Sequence, residues 1–478
     1  MDLATATATE LAAAIRDRQL SSRELLDHLL TRSAQLNPEL NAIVAWDTDR
    51  ARDAARAADD ATARGDAAGQ LHGLPMTVKD VYETEGLVTT SGAPELAQYV
   101  PRTDAVAVAR LKAAGAIIFG KTNTPMYASD WQTYNEVYGR TSNPWDHSRS
   151  PGGSSGGAAA AVAAGLTPLE MGSDLGGSIR IPAHCTGVYG LRPSHGIVPL
   201  YGHIPAPPGS LVQADIGVAG QIARSIADLR LALGIVAGPL PRDAKGWRLE
   251  LDAGPAISDV SELRVATVFT EGADIAPISV DVRGSLDRFA ASLAGAGARV
   301  DAVPLPVPLA DGLSAWQGIA LPFIGAWLPD PVFDYLVSVT GDDWATAMTS
   351  RYRAVVAATD MRERQRVAWA EFFESYDAVL APVMPTVAIP HDTERPLNER
   401  VIDVDGTPVS HTAAAAWACA IGAPLLPVLT MPTGLGPSSG LPVGVQVIGP
   451  FLGDLRLLRI GEVIAEATGT GFIPPPGP

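Results

Sequence analysis

Two cysteines, Cys185 and Cys419, are all that 478 residues contain, and they stand too far apart for a CxxC pair or a zinc-like cluster. A disulfide framework and a thiolate metal site are thereby excluded, and the pair reads as small, reduced, apolar residues of a protein kept in a reducing compartment. Basic charge is also short: 35 Lys and Arg face 52 Asp and Glu, a net charge of −17. That sign opposes binding of a phosphate backbone through the protein's own field, which excludes an autonomous nucleic-acid binder. Long apolar runs are missing too. The uncharged stretch from Ala413 to Pro432 contains Gly422, Pro424 and Pro427 and predicts a buried helix followed by a buried strand, so no membrane span is expected. The N-terminus has neither a basic start nor an apolar run ahead of its first charges, which argues against a signal peptide and makes the cytoplasm the expected location. Lysine is nearly as scarce as cysteine. Only Lys79, Lys112, Lys121 and Lys245 can supply an amine able to lose its proton.

What is present is a large apolar fraction, 47%, against 18% charged residues, enough for one large domain or two and incompatible with intrinsic disorder. Residues 9–64 have a helical pattern, with Ser21 and Glu24 placed as a capping box, Leu25, Leu26, Leu29 and Leu30 on one face, Pro38 closing the segment and a short strand at 42–46 interrupting it. From Thr103 a helix pattern runs to Gly115 and then into an apolar strand at 116–120. The same helix, glycine, strand device recurs at 282–296, Gly297 and 299–303. Helices alternating with apolar strands predict an α/β layer fold with a mostly buried sheet. Proline-rich connections at 205–209, 239–241 and 304–308 lie between these elements, and the terminal FIPPPGP reads as a loose end. Residues 310–370 carry Trp316, Phe323, Trp327, Phe333, Tyr335, Trp344 and Tyr352 among weak helical patterns without a strand, and are expected to shape substrate entry.

Two glycine and serine clusters dominate the middle of the chain: 151–157 (PGGSSGG) and 172–180 (GSDLGGSIR). Glycine pairs let the backbone approach closely and aim several N–H groups at one point, and three exposed-looking serines accompany them. Neither cluster continues into Gly-Lys-Ser/Thr, so a phosphate loop is excluded. Gly152 to Gly156 satisfies the nucleophile-elbow pattern, but so does Gly436 to Gly440, and the segment before Gly152 is polar and proline-broken where an elbow needs a buried strand. His184 is the one histidine within ten residues of Ser178 and reads as a packing residue. For activating a serine there remains Lys79, in the apolar strand-like run 74–80, where an ammonium is poorly solvated and its pKa falls; a neutral amine is a competent general base. The competing reading is a strand-end charge paired with Asp80, and by context the two weigh equally. Lys112 reads as solvent-facing on a helix, Lys121 as following a strand end in G-K-T-N, and Lys245 as part of a proline-rich connection.

V-K-D at 78–80, G-G-S-S-G-G at 152–157 and S-D-x-G-G-S-I-R at 173–180 together resemble the amidase signature family. Ser154 follows Lys79 by 75 positions and Ser178 follows Ser154 by 24, separations similar to the family's own. G-K-T-N at 120–123, N-P-W-D at 143–146, G-L-R-P at 190–193 and L-P-V-G-V-Q at 441–446 extend the resemblance over nearly the whole chain, most weakly between 240 and 370.

The resemblance implies an α/β/α layered fold with a large mixed, mostly buried central sheet covered by helices. It divides the chain into an N-terminal helical segment (1–70), a signature core (71–235), a variable substrate-shaping part (236–370) and a C-terminal part returning to the core sheet (371–478). It implies Ser178 as nucleophile, Ser154 as bridging serine after a cis bond from Gly153, and Lys79 as base. The backbone N–H groups of Leu175, Gly176, Gly177 and Ser178 would form the oxyanion hole, with Ser155, Asp174 and Arg180 holding the loops in shape. Gly153, Tyr127, Trp131 and Tyr134 would lie near the substrate, the aromatics favouring an aryl or bulky apolar group. The implied reaction is acyl transfer from an amide, ester or carbamate with no metal and no organic cofactor, by a monomer or homodimer. Thr186 stands where the family often has cysteine, with Cys185 one place earlier, which reads as local repacking. Glutamine-using A-type subunits of transamidation complexes commonly have Gln after the arginine; here Ile181 follows Arg180, which counts against that alternative. A binding protein that kept the fold without activity should have lost Lys79, Ser154 or Ser178, and all three remain.

Overall fold

The computed structural model describes the chain except residues 205, 206 and 478 and the side chain of residue 398. The start of the 205–209 connection and the last residue of the tail therefore lie outside the described residues. End signals set the N-terminal helices. α1 (Ala8–Arg16) starts at Thr7 and α2 (Ser22–Leu40) at Ser21, each with a reciprocal capping box, to Glu10 and Glu24. α2 does not stop at Pro38 but ends at Asn41, in the left-handed region, because Asn37 accepts the N–H groups of Ala42 and Ile43 on its side chain and turns the chain there. After β1 (Ile43–Trp46) comes α3 (Thr48–Arg64), so the helical stretch expected over 9–64 is three helices, with a break at 17–21 that the pattern did not reveal.

β2 (Pro75–Lys79), α4 (Val106–Ala113) and β3 (Ile117–Thr122) complete a small sheet of order β1-β3-β2, in which β2 and β3 are parallel. A ribbon of β4 (Tyr134–Asn135) and β5 (Gly139–Arg140) leads to α5 (Gly156–Ala163), β6 (Leu169–Asp174), α6 (Arg180–Thr186), β7 (Tyr189–Arg192), β8 (Val218–Ala223) and α7 (Ile226–Val236). β9 (Arg264–Thr267), α8 (Val280–Gly295) and β10 (Arg299–Ala302) follow, then four helices without a strand: α9 (Leu309–Gly325), α10 (Asp330–Ser338), α11 (Asp343–Met348) and α12 (Tyr352–Phe372). The chain closes with β11 (Ala378–Pro382), a hairpin of β12 (Val401–Val404) and β13 (Thr407–Ser410), α13 (Ala416–Gly422), β14 (Val428–Leu435), β15 (Pro442–Ile448) and α14 (Asp454–Thr468).

The large sheet has eight strands in the order β10-β9-β11-β15-β14-β7-β8-β6, parallel among the first three and antiparallel beyond. Alternate residues of its strands enter different cores. Leu169, Leu191, Leu429, Val445 and Val447 pack with Leu229, Leu286 and Leu457 of α7, α8 and α14. On the other face, Ile222 meets Val162 of α5, while Val428 and Ile448 meet Trp417 and Ile421 of α13. This is the expected α/β/α layering. The uncharged run from Ala413 forms a buried helix and a buried strand, and among the described residues no helix is long and apolar enough to cross a membrane.

Candidate active site

Three chain segments meet at the seam between the small and the large sheet. β2 ends in Lys79, β6 ends in Asp174 and feeds the 175–179 loop, and the 151–155 loop enters α5. Lys79 is fully buried, and its Nζ lies within hydrogen-bonding distance of the hydroxyls of Ser154 (2.6 Å), Ser155 (3.0 Å) and Ser173 (3.2 Å), donating to all three as an ammonium and able to accept from one as a neutral amine. The Gly153–Ser154 peptide bond is cis. The Ser155 N–H donates to the Ser178 carbonyl at 3.0 Å, tying the two serine loops together. The serines are not exposed as their loop composition suggested. Ser154 and Ser155 are closed off entirely, and Ser178 keeps 8% of its surface, because both loops are roofed by residues from distant segments.

Burial pulls the Lys79 amine from 10.5 down to about 7, against the opposing pull of the Asp174 and Glu170 charges. The ion pair considered for Lys79 belongs to another lysine: Asp80 lies 3.9 Å from Lys121 and accepts both the N–H and the hydroxyl of Thr90. Lys121 sits inside β3, not past a strand end, and is as buried as Lys79. Its ammonium has strong acceptors, donating to the Tyr82 carbonyl and to the hydroxyls of Thr84 (3.2 Å) and Thr89 (3.1 Å). The two buried lysines thus differ in company. Lys121 faces a carboxylate and a carbonyl, whereas Lys79 faces hydroxyls, partners that suit a neutral amine.

Asp174 is the hub of the 175–180 turn. Its carboxylate accepts the N–H groups of Gly177 (2.9 Å) and Ile179 (3.1 Å) and both Nε (3.0 Å) and Nη2 (2.8 Å) of Arg180, with Arg192 Nε at 3.7 Å. Burial alone would raise this carboxyl, but the Arg180 and Arg192 guanidiniums outweigh it and hold it far below the usual range. Arg180 also reaches the Ala418 carbonyl and Gln446 Oε1 on α13 and β15. Of the four N–H groups read as an oxyanion hole, that of Gly177 is therefore committed to Asp174. Those of Leu175, Gly176 and Ser178 have no partner among the described residues.

The aromatic residues expected near the substrate separate. Trp131 reaches the turn, its indole N–H donating to the Gly176 carbonyl at 2.9 Å, and the backbone of residues 130–132 packs against Gly153. Tyr127 instead donates its hydroxyl to Glu95, and the Tyr134 hydroxyl accepts from Arg400 at 2.6 Å. His184 is a packing residue: Nδ1 accepts the Gly444 N–H (3.0 Å), Nε2 faces the Thr386 carbonyl (3.1 Å), and neither nitrogen bonds a serine.

Four contributors escaped the sequence reading. Ser173 lay inside a quoted cluster but had no assigned part. Trp316 and Cys419 come from α9 and α13, too far along the chain for any motif to connect them. Glu170 left a signal, an acid in the otherwise apolar run 166–171. It is fully buried in β6, and burial pushes its pKa up to about 8 against the opposing pull of the nearby Thr77 and Thr122 hydroxyls.

The model of the Amidase family matches residues 24–458. The glutamyl-tRNA(Gln) amidotransferase A-type protein of Acidothermus cellulolyticus is 35% identical over 98% of this chain and 95% of its own. The indoleacetamide hydrolase of Bradyrhizobium diazoefficiens is 34% identical over 94% of this chain and 84% of its own. Among solved structures, a bacterial aryl acylamidase superposes with a TM-score of 0.81 at 25% identity, covering 97% of this chain and 96% of that one.

Proposed function

The chain belongs to the amidase signature family, and from that premise we propose that it is a stand-alone serine amidase that cleaves amide C–N bonds through an acyl-enzyme on Ser178. The reading rests on Lys79, a fully buried amine with a pKa near 7 that is hydrogen-bonded to Ser154 at 2.6 Å. In the proposed route neutral Lys79 takes a proton through Ser154 from the Ser178 hydroxyl while Ser178 Oγ attacks the carbonyl carbon. The C–N bond breaks as the leaving amine takes that proton. Water then attacks the ester carbonyl, giving up a proton along the same route; as the bond from Ser178 Oγ to the acyl carbon breaks, that proton returns to Ser178 Oγ and the carboxylic acid leaves. Every proton step is served by the chain's own groups.

Trp131, Leu175 and Trp344 share one apolar cluster beside the turn, Trp131 and Trp344 meeting edge to face at 6.5 Å. Such walls support an aryl or bulky apolar acyl group, and the same acyl-enzyme would serve esters and carbamates. The test is to treat the full chain with a fluorophosphonate, map the adduct by mass spectrometry, and assay anilides, esters, carbamates and glutamine. An adduct on Ser178 with anilide turnover is expected; labelling elsewhere defeats the assignment.

Because the base works in its neutral form, kcat/KM is expected to fall about tenfold per pH unit below the Lys79 pKa and to level off above it, a limb centred near pH 7. A flat profile from pH 5 to 9 would remove Lys79 from the mechanism. The identity to the glutamyl-tRNA(Gln) amidotransferase protein supports a second reading, a glutaminase working with partner chains. Against it stands Ile181, an apolar side chain packed beneath Gly177 in the turn. Glutamine turnover that appears only with co-purifying chains would favour this second reading.

A further inference from the structure

The 175–177 segment is held from outside by two indoles that come from widely separated parts of the chain. Trp316 on α9, 4% exposed, donates its Nε1–H to the Leu175 carbonyl at 2.8 Å. Trp131 donates to the next carbonyl, that of Gly176, at 2.9 Å, and the Cys419 thiol reaches the same oxygen at 3.7 Å. The fit is close. A Cβ on Gly176 would stand 2.7 Å from Trp316 Cζ2 and 3.0 Å from Cys419 Sγ, so only glycine lets the indole lie against the backbone there.

A carbonyl and the following N–H belong to one rigid trans peptide and point to opposite sides. Holding the Leu175 oxygen therefore aims the Gly176 N–H away from Trp316. The next peptide is gripped at both ends, its oxygen by Trp131 and Cys419 and its N–H by Asp174. Between these fixed groups the Gly176 N–H stays without a partner among the described residues. A donor held in place before the reaction need not reorient when charge develops on the substrate oxygen. A carbonyl that accepts a hydrogen bond also polarises its own amide, strengthening the N–H on the far side.

We propose that Trp316 and Trp131 are positioning residues that aim and polarise the Gly176 N–H as the principal oxyanion donor. The proposal rests on Ser178 being the nucleophile and adds which donor acts and what sets it. It also gives residues 310–370 a part in the chemistry through α9, beyond the substrate entry expected of them.

Phenylalanine keeps an aromatic side chain but loses the N–H and one ring of the indole, so Trp316→Phe removes the hydrogen bond together with some core volume. In the full-length protein W316F is expected to lower kcat about tenfold, the upper end for one neutral hydrogen bond, with KM within twofold. An acyl-matched boronic acid, which mimics the tetrahedral oxyanion, should bind more weakly by the same factor, while the product carboxylic acid should bind as before. W131F combined with C419A strips both donors from the Gly176 oxygen and is expected to behave likewise, which keeps the test open should W316F fold poorly. Trp369→Phe, a buried indole stacked on Phe373 in α12 away from the turn, controls for lost core volume and should leave kcat unchanged. Retention of wild-type kcat within twofold in both W316F and W131F/C419A, or a loss confined to KM, overturns the proposal. The two failures are separable. A fluorophosphonate adduct away from Ser178 in the wild type defeats the nucleophile assignment, whereas Ser178 labelling with undiminished kcat in the variants defeats the indole clamp alone.

Discussion

Lys79→Ala is expected to cut amide turnover by on the order of 10²- to 10⁴-fold, the range a positioned general base contributes. The loss should be near the top of that range because the nearby titratable groups are committed elsewhere or too weakly basic, burial and the Lys79 charge pushing the His203 imidazole down to about 3. Lys121, the other buried amine, is occupied by Asp80, the Tyr82 carbonyl and two threonine hydroxyls. His184 is bonded to backbone from β15 and the 386 loop. The pH profile distinguishes lost chemistry from a damaged fold. Wild type should show the limb near pH 7, and the variant's residual rate should lose that limb and climb with hydroxide. Circular dichroism and melting, run beside single-turnover assays, verify that the variant is folded. A rate within tenfold of wild type, or an unchanged limb, assigns the base elsewhere.

Asp174→Ala is expected to be the most destabilising change at the site, by about 3–5 kcal/mol, the usual consequence of removing one partner from a buried ionic cluster. Arg180 and Arg192 are both fully buried, and each loses its carboxylate. The N–H groups of Gly177 and Ile179 lose their acceptor in the same stroke, freeing the turn that carries Ser178. Urea unfolding should show a lower midpoint, with activity lost well below that midpoint. Asp174→Asn, which keeps one acceptor oxygen, should fall between. Since the folded carboxyl is held far below its unfolded value of 3.8, Asp174's contribution is complete above about pH 4 and is lost only as pH falls through the folded value, so stability losses between pH 5 and 7 must come from other groups. An Asp174→Ala variant as stable as wild type would show that Gln446 and the Ala418 carbonyl suffice to hold Arg180.

Local signals made the layered fold legible, and the resemblance singled out Lys79, Ser154 and Ser178, which the fold brings to one place. Capping pairs such as Ser21 and Glu24, the two helix, glycine, strand passages and the motifs around Lys79, Ser154 and Ser178 all act within a few residues of chain. What stayed hidden depends on packing between segments far apart in sequence. Pro38 failed to end α2 because the stop is made by Asn37 and Asn41, and Lys121 looked peripheral because strand ends are poorly marked in sequence. Tyr127, Trp131 and Tyr134 were equivalent aromatics until the fold turned only Trp131 toward the Gly176 carbonyl. Trp316 gave no signal among seven dispersed aromatics, since its distinguishing feature is a carbonyl 141 residues away.

The seam between the sheets has a further consequence. Lys79 stands on the three-stranded sheet, while Ser173 stands on the eight-stranded one, and the β2 to β6 boundary is crossed by side-chain contacts such as the Thr77 N–H to Thr167 Oγ1 bond, without ladder pairing. The proposed base on β2 and the proposed nucleophile in the loop after β6 thus come together only when the two sheets dock, whichever forms first. On the proposed mechanism, a nascent or partly unfolded chain is expected to have no amidase activity. During refolding, returning turnover serves as a clock for docking, and it should lag the recovery of helical signal.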